Sequence, residues 1–141
     1  MNETTFLGDI AELSAAAELV RRGYIVARPL TNGAPYDLLV DVAGIIKKVQ
    51  VKKAGKPING AMRVPLSTSK HHRGRKSVLY HGKVDCLIAV DCEINRYYVF
   101  SGEDLKNVQV YIRTEPTKNK QASGVRFADD HKIDLWFPAL R

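Results

Sequence analysis

The chain has 141 residues, and since an average domain has about 150, its length predicts a single domain spanning residues 1–141. A hydrophobic fraction of 45% and a charged fraction of 26% are typical of globular proteins and argue against a disordered chain. No apolar run approaches the roughly 18 residues of a membrane span, and two cysteines do not form a disulfide framework. We therefore expect a protein of the reducing cytoplasm that has no membrane partner.

Positive charge is concentrated in the middle third of the sequence. The net charge is +7, but residues 42–84 contain 11 basic and no acidic residues, whereas residues 1–41 carry −3 and residues 85–141 carry −1. Such a segment is either a solvated basic face or a phosphate-binding surface, and the clustering favours nucleic acid as the partner. A membrane surface is disfavoured because the basic residues do not follow an amphipathic helix.

The first predicted element is a helix that begins at Thr4 or Thr5 and ends near Arg22, with Gly23 as its C-terminal stop. Helical spacing predicts that one apolar face packs on the core. The residues of that expected core face are Ile10, Leu13, Ala17 and Val20.

The rest of the chain predicts mainly strands. Ala43-Gly44 predicts a tight hairpin turn between the second and third strands, and the apolar run from Val84 predicts a buried strand. The pattern predicts an α/β or α+β domain with one mixed sheet and a long N-terminal helix. The predicted strands are residues 24–28, 36–41, 45–53, 63–67, 84–90, 96–100 and 109–113.

Several polar residues stand within hydrophobic patterns. Asp37 opens the second strand, Gln50 and Lys52 project from one face of the third, and Glu12 lies beside the apolar stripe of the helix. Because a short hairpin makes the two strands neighbours, Asp37 can converge with Gln50 and Lys52. Carboxylate and amide oxygens with a nearby lysine suit metal-assisted phosphodiester hydrolysis. Residues of these types are also common as solvent-facing strand residues, so the pattern alone leaves both interpretations open.

These residues resemble the PD-(D/E)XK nuclease superfamily, whose core has the order α-β-β-β-α-β. The resemblance rests on Glu12, on Pro35-Tyr36-Asp37 and on Gln50-Val51-Lys52. Within the superfamily the chain is similar to the branch of homing endonucleases from cyanobacterial group I introns. Segments that extend this similarity along the chain are residues 75–90, 96–99, 118–121 and 124–129.

The resemblance implies roles for these residues. Asp37, Gln50 and the carbonyl of Val51 would be metal ligands, Lys52 the catalytic lysine, and Glu12 an auxiliary carboxylate that reaches metal through water or orients Lys52. Gln50 stands where the superfamily usually has an acidic ligand, which should lower metal affinity. The implied cofactor is Mg²⁺, with Mn²⁺ as a substitute.

The implied function is metal-dependent cleavage of double-stranded DNA, of the site-specific homing type. One active site per domain implies a homodimer or homotetramer. The alternatives are a nuclease similar to Holliday-junction resolvases or repair nucleases, and a DNA-binding module without catalysis. The residues predicted to contact DNA are Lys48, Lys53, Arg63, Lys70, Arg73, Arg75 and Lys76.

Overall fold

The structure is a computed structural model that describes residues 3–68, 78–121 and 123–141. Four residues predicted to contact DNA, Lys70, Arg73, Arg75 and Lys76, lie outside the described residues. Three short 3₁₀ turns cover Gly102–Asp104, Ala128–His131 and Ile133–Leu135. The regular elements are α1 (Glu3–Arg21), β1 (Ile25–Ala27), β2 (Leu38–Val42), β3 (Ile45–Lys53), β4 (Ala61–Pro65), β5 (Cys86–Asp91), β6 (Arg96–Ser101) and β7 (Gln109–Arg113).

Helix α1 ends as predicted at Gly23, which has φ of 103°. The N–H groups of Gly23 and Tyr24 donate to the carbonyls of Val20 and Leu19, at 3.0 and 3.1 Å, in the Schellman arrangement. The prediction of the helix is therefore correct, although Thr4 and Thr5 lie inside it and not at its cap.

The predicted core face of α1 is wrong. The sheet packs on the opposite face, whose buried residues are Ala11, Ala15 and Leu19. Ala11 and Ala15 let the helix backbone approach the sheet closely, and Leu19 fills the core at the C-terminal end of the same face. The residues that we expected in the core, Ile10, Leu13, Ala17 and Val20, are all exposed.

Five strands form one mixed sheet in the order β1-β2-β3-β5-β6. Strands β2 and β3 form the predicted hairpin, in which Leu38 pairs with Val49 and Val42 with Ile45. The turn residues Ala43 and Gly44 have φ of 53° and 86°, as two-residue hairpin turns of type I′ require. Strand β5 then pairs in parallel with β3, so the chain must cross over between them.

The two faces of the sheet carry separate cores. Helix α1 covers the first face, onto which Val49 and Val51 of β3 project. A two-stranded sheet of β4 and β7 covers the second face, where Leu87 and Ala89 are buried. Because side chains alternate along a strand, Gln50 and Lys52 lie on the second face, as predicted. All six residues of β5 are buried, which confirms the prediction from its apolar run.

The predicted mixed sheet with an N-terminal helix is thus present. Between β3 and β5 the described residues contain strand β4, where the α-β-β-β-α-β scheme has its second helix, and residues 69–77 of this connection lie outside the description. Within the described ranges, no helix is both long and apolar enough to cross a membrane.

Gly102 is required by a close approach of two backbone segments. A Cβ atom at this position would lie 2.1 Å from the carbonyl oxygen of Val84. We expect Gly102→Ala to lower the free energy of unfolding by about 1–3 kcal/mol or more, because rigid backbone must shift to admit the methyl group. The midpoint of urea unfolding measures this effect. Gly8→Ala is the control: its Cβ would meet nothing within 4 Å, and helix propensity predicts a gain of about 0.5–1 kcal/mol.

Candidate active site

Asp37 is fixed at the mouth of the β2–β3 hairpin, directly before β2 begins. Its N–H donates to the carbonyl of Val49 at 2.9 Å, which extends the hairpin ladder by one residue. Its Oδ2 accepts a hydrogen bond from the N–H of Val51, also at 2.9 Å. Oδ1 accepts no hydrogen bond from the part of the chain that the structure describes. One carboxylate oxygen is thus held by the sheet and the other is available to a ligand.

Four charged groups influence one another at this point. Burial raises the pKa of Asp37, the N–H of Val51 opposes that rise, and the Glu12 carboxylate adds to it, whereas Lys52 and Arg28 lower the pKa. A bound cation would stabilise the charged form of a carboxylate that is partly buried and lies near a second carboxylate. Asp37 therefore lies near enough to both Lys52 and Glu12 for their charges to act on its pKa.

Gln50 lies beside Asp37 on the neighbouring strand and is only 7% exposed. Its Nε2 donates a long hydrogen bond of 3.3 Å to the carbonyl of Val51. A buried glutamine with one weak hydrogen bond to the described part of the chain is costly unless another partner is bound. The amide oxygen and the Val51 carbonyl are therefore available as neutral oxygen ligands next to the Asp37 carboxylate.

Lys52 is partly buried and packs against an aromatic ring. Its Nζ lies 5.3 Å from the centre of the Tyr80 ring, within the range of a cation–π contact. Burial lowers the pKa of Lys52, and the Asp37 carboxylate opposes that shift. Burial also raises the pKa of Tyr80 to about 12, with Asp37 adding to the rise. A lysine in this setting gives up its proton more readily than one in water.

Glu12 reaches the site from the helix but is paired with an arginine. Its Oε1 lies 2.6 Å from Nη2 of Arg28, just beyond the end of β1. The resemblance assigns Glu12 to water-mediated metal contact or to orienting Lys52, whereas in the structure its direct partner is Arg28.

Arg28 and Tyr80 are site residues that sequence reasoning missed. Arg28 is one basic residue before a proline and carries no motif. Tyr80 belongs to a segment noted only for its similarity to the homing endonuclease branch. The packing of β5 and its preceding loop on β3 brings Tyr80 to Lys52, and no local pattern predicts such a contact.

A pocket of about 320 Å³ opens beside these residues. Asp37, Gln50 and Tyr80 line it together with Lys83, which sequence reasoning also missed. The pocket is large enough for a phosphate group and several waters, since each water occupies about 30 Å³ in the liquid. The remaining lining residues are Gly33, Ala34, Pro35, Thr68, Val78 and Leu79.

The two described residues that flank residues 69–77 lie at the rim of this pocket. Thr68 and Val78 both line it, and the N–H of each donates to the other residue, at 2.9 and 2.8 Å. Residues 69–77, which contain four of the predicted DNA contacts, are joined to the described chain at these two points.

The three described residues among the predicted DNA contacts lie in different places. Lys48 is exposed on β3, with Nζ 5.7 Å from the ring centre of Tyr36. Arg63 is exposed on β4, where its Nε donates to the Oε1 of Gln109. Lys53 lines a pocket with the N-terminal half of α1, on the other face of the sheet. Lys48 is thus the one of these three that stands on the β3 face of Gln50 and Lys52.

The donor set fits a weakly held, hydrated divalent cation. In the described ranges, no three His, Cys, Asp or Glu side chains cluster as a metal site. Asp37, the amide of Gln50 and the carbonyl of Val51 supply one charged and two neutral oxygens. Mg²⁺ commonly binds through one or two carboxylates, with waters and substrate phosphate as its other ligands. The residues present therefore suit a cation that is completed by a bound phosphate.

Known proteins share the fold of this chain. A solved structure titled as a bacterial homing endonuclease, I-Ssp6803I, is similar to the chain with a TM-score of 0.70 and 25% sequence identity. The alignment covers 96% of this chain and 90% of that one, which confirms the expected PD-(D/E)XK-like fold. The search of curated proteins gave no significant match. A sequence model described as PD-(D/E)XK endonuclease matches residues 2–134, and the chain therefore belongs to the PD-(D/E)XK endonuclease family.

Proposed function

We propose that this endonuclease depends on a divalent metal and hydrolyses double-stranded DNA at a specific site. The observation that carries the proposal is the placement of Asp37, Gln50 and Lys52 at the mouth of one hairpin, beside a pocket that can hold a phosphate. The positive charge of residues 42–84 supports DNA as the substrate, because clustered Lys and Arg residues bind the phosphates of a polyanion. The similarity to a homing endonuclease supports site specificity.

Asp37, Gln50 and the carbonyl of Val51 would hold the metal. When bound, a divalent cation of this kind polarises the scissile phosphate and makes a water molecule more acidic. Mg²⁺ is the proposed ion, with Mn²⁺ as a substitute, because all three ligands are oxygens. With Glu12 committed to Arg28, the direct ligands carry a single negative charge, so the metal affinity of the free protein is expected to be low.

Lys52 is proposed to act on the water and on the charge that develops at phosphorus. Because burial lowers its pKa, a larger fraction of Lys52 is neutral at a given pH than of an exposed lysine, and only the neutral amine can accept a proton from an attacking water. In its protonated form it stabilises the negative charge of the transition state. Tyr80 lines the pocket, and its ring would position the ammonium group, whose nitrogen lies 5.3 Å from the ring centre.

The test is cleavage of supercoiled plasmid DNA by the purified protein. We expect nicked and then linear products with Mg²⁺ or Mn²⁺ and none with EDTA, and a preferred sequence when a randomised DNA library is cut. DNA binding without any cleavage would identify a binding module, an outcome for which the neutral Gln50 gives a reason. Preference for four-way junctions over linear DNA would instead indicate a resolvase.

Gln50→Glu is expected to tighten metal binding and to retain some cleavage. A glutamate has the reach of glutamine and adds the negative charge that this ligand set lacks. Isothermal titration of Mg²⁺ into both proteins measures the difference, which we expect to be about tenfold or more in Kd. If the variant folds and binds Mg²⁺ no better than the parent, Gln50 is not a metal ligand.

Tyr80→Leu is expected to slow cleavage, while Tyr80→Phe is expected to preserve most of it. Phenylalanine keeps the ring face under Lys52, whereas leucine removes the cation–π contact, worth about 0.5–2 kcal/mol. We expect a loss of about 3- to 30-fold in the rate constant for leucine. Single-turnover cleavage at saturating DNA measures this loss. Equal rates in the two variants would show that the ring does not position Lys52.

A further inference from the structure

Helix α1 has a second apolar face, which points away from the sheet. Its large side chains are 44–56% exposed and form a stripe along the helix. At 100° per residue, the stripe occupies an arc of about 80°. Its residues, here called the outer stripe, are Phe6, Ile10, Leu13, Ala17 and Val20.

The outer stripe lies opposite the buried face of the same helix. The buried face is centred on Ala15, which is about 180° around the helix from the centre of the stripe. A helix that is apolar on two opposite faces is typical of one that is buried on both. Four half-exposed large apolar side chains along one line form a continuous patch, unlike the single exposed apolar residues common on protein surfaces.

We infer that the outer stripe binds a second copy of this chain, with the two α1 helices antiparallel and a two-fold axis at Leu13. The stripe is nearly symmetric about this residue. Phe6 and Val20 each lie seven residues from Leu13, so they face each other across the axis. Ile10 lies three residues before it and Ala17 four after, so a large side chain of one copy meets a small one of the other. Such alternation of size is how packed helices interdigitate.

The charges beside the stripe also match an antiparallel pair. Glu3 and Arg21 lie on the same flank, at opposite ends of the helix, and both are exposed. Within one copy, the Nε of Arg21 lies 3.6 Å from Glu18 on an exposed surface, a weak interaction. An antiparallel pair places Glu3 of each copy beside Arg21 of the other. In a parallel pair the two Glu3 residues would lie at one end and the two Arg21 residues at the other, so neither would have an oppositely charged partner across the interface.

This interface is compatible with the proposed function. The inference rests on that function at one point only, namely that cutting both DNA strands requires two active sites. A two-fold contact is the commonest way to bring two identical sites together for the two DNA strands. The outer stripe faces away from the sheet, and Gln50 of the pocket lies on the face that α1 does not cover. Pairing through α1 therefore leaves both pockets open.

Sedimentation equilibrium without DNA tests the interface independently of any activity. We expect the parent protein to have the mass of a dimer and Leu13→Glu that of a monomer. Because Leu13 is 56% exposed within the protomer, its replacement should leave the helical circular dichroism unchanged. The matched control is Val108→Glu, at a residue that is 53% exposed just before β7, on the side of the sheet that α1 does not cover, and it should remain dimeric. A monomeric parent, or a dimeric Leu13→Glu, overturns the inference.

Cysteine cross-linking tests the direction and register, in a Cys92→Ser background that leaves Cys86 buried. Leu13→Cys should form a disulfide-linked dimer on mild oxidation, because the two copies of this residue meet at the axis. Val20→Cys should not, since its two copies would lie about 21 Å apart along the helices, beyond the reach of a disulfide. Cross-linking in both variants would indicate a parallel pair, and cross-linking in neither would exclude a contact at Leu13; either result overturns the inference.

The interface and the catalytic proposal can fail separately. If the parent is a dimer that cuts no DNA, the interface stands and the proposed function does not. If Leu13→Glu is monomeric, we expect it to retain metal-dependent nicking at high protein concentration while its yield of linear DNA falls. Nicking requires one active site, whereas concerted cutting of both strands requires two.

Discussion

Asp37→Asn is expected to lower the rate of DNA cleavage by about 100-fold or more, while DNA binding remains. Asparagine has the shape of aspartate, and its side-chain oxygen can still accept the hydrogen bond from the N–H of Val51. What it removes is the negative charge of the one carboxylate in the proposed ligand set. Single-turnover cleavage and a gel-shift assay in Ca²⁺ separate the loss of chemistry from a loss of binding.

The same variant is expected to be at least as stable as the parent at pH 7. Because burial raises the pKa of Asp37, the folded protein holds this proton more tightly than the unfolded chain does. Stability is therefore lost as the pH rises from the unfolded pKa through the folded one, and asparagine removes this loss. Unfolding in urea at pH 7 measures it. An inactive variant that is also unfolded would leave Asp37→Ser, which lacks the charge as well, to decide the assignment.

Asp41→Asn, on strand β2, which Asp37 directly precedes, provides the matched control. Asp41 accepts a hydrogen bond from the N–H of Gly44 at 2.7 Å in the hairpin turn, a role that asparagine can also fill. We expect cleavage within about twofold of the parent, since surface substitutions away from a site usually have small effects. Equal losses at Asp37 and Asp41 would point to damage of the hairpin and not to a missing metal ligand.

The hairpin that builds the site could be predicted because its determinants are local. Ala43-Gly44 sets the turn, the turn sets the register, and a period of two then places Gln50 and Lys52 on one face. The family resemblance added the roles of these residues, which spacing alone left open. The position of Asp37 opposite Gln50 follows from the same register.

The contacts that shape the site could not be predicted, because they join distant parts of the chain. Tyr80 meets Lys52 only after β5 pairs with β3, and Arg28 meets Glu12 only after β1 packs beneath α1. The pairing of β4 with β7 is likewise non-local and carries no turn between the strands. Such contacts depend on the global fold and leave no periodic pattern in the sequence.

The orientation of α1 was predicted wrongly for a related reason. Periodicity identifies an apolar face but not its partner, and α1 has two such faces. The larger side chains, such as Leu13, have the greater hydrophobicity, which is why they were expected in the core. Close packing on the sheet instead selects the face of Ala11 and Ala15.

Lys52→Ala is expected to abolish detectable cleavage, with a loss of at least about 100-fold in the single-turnover rate. Alanine removes both the group that can accept a proton from water and the charge that offsets the transition state. The free energy of unfolding should change little or rise, because a partly buried ammonium group is costly to keep from water. Gel-shift assays in Ca²⁺ should show DNA binding within a few-fold of the parent, since one phosphate contact at most is lost.

Lys48→Ala is the control for general loss of positive charge. Lys48 projects from the same face of the same strand, its Nζ also lies over an aromatic ring, at 5.7 Å from the centre of Tyr36, and it is exposed. We expect Lys48→Ala to weaken DNA binding and to lower the slope of log affinity against log salt concentration by about one, the contribution of one phosphate contact. The cleavage rate at saturating DNA should not change.

Lys52→Arg separates the two proposed contributions of the lysine. Arginine keeps the positive charge but does not give up its proton at any pH that the protein tolerates. If proton transfer from water is the main contribution, the arginine variant should recover no more than about tenfold over alanine. Recovery to near the parent rate would show that charge stabilisation is sufficient. A parental rate in purified Lys52→Ala itself would remove Lys52 from the site, and with it the proposal that this hairpin cleaves DNA.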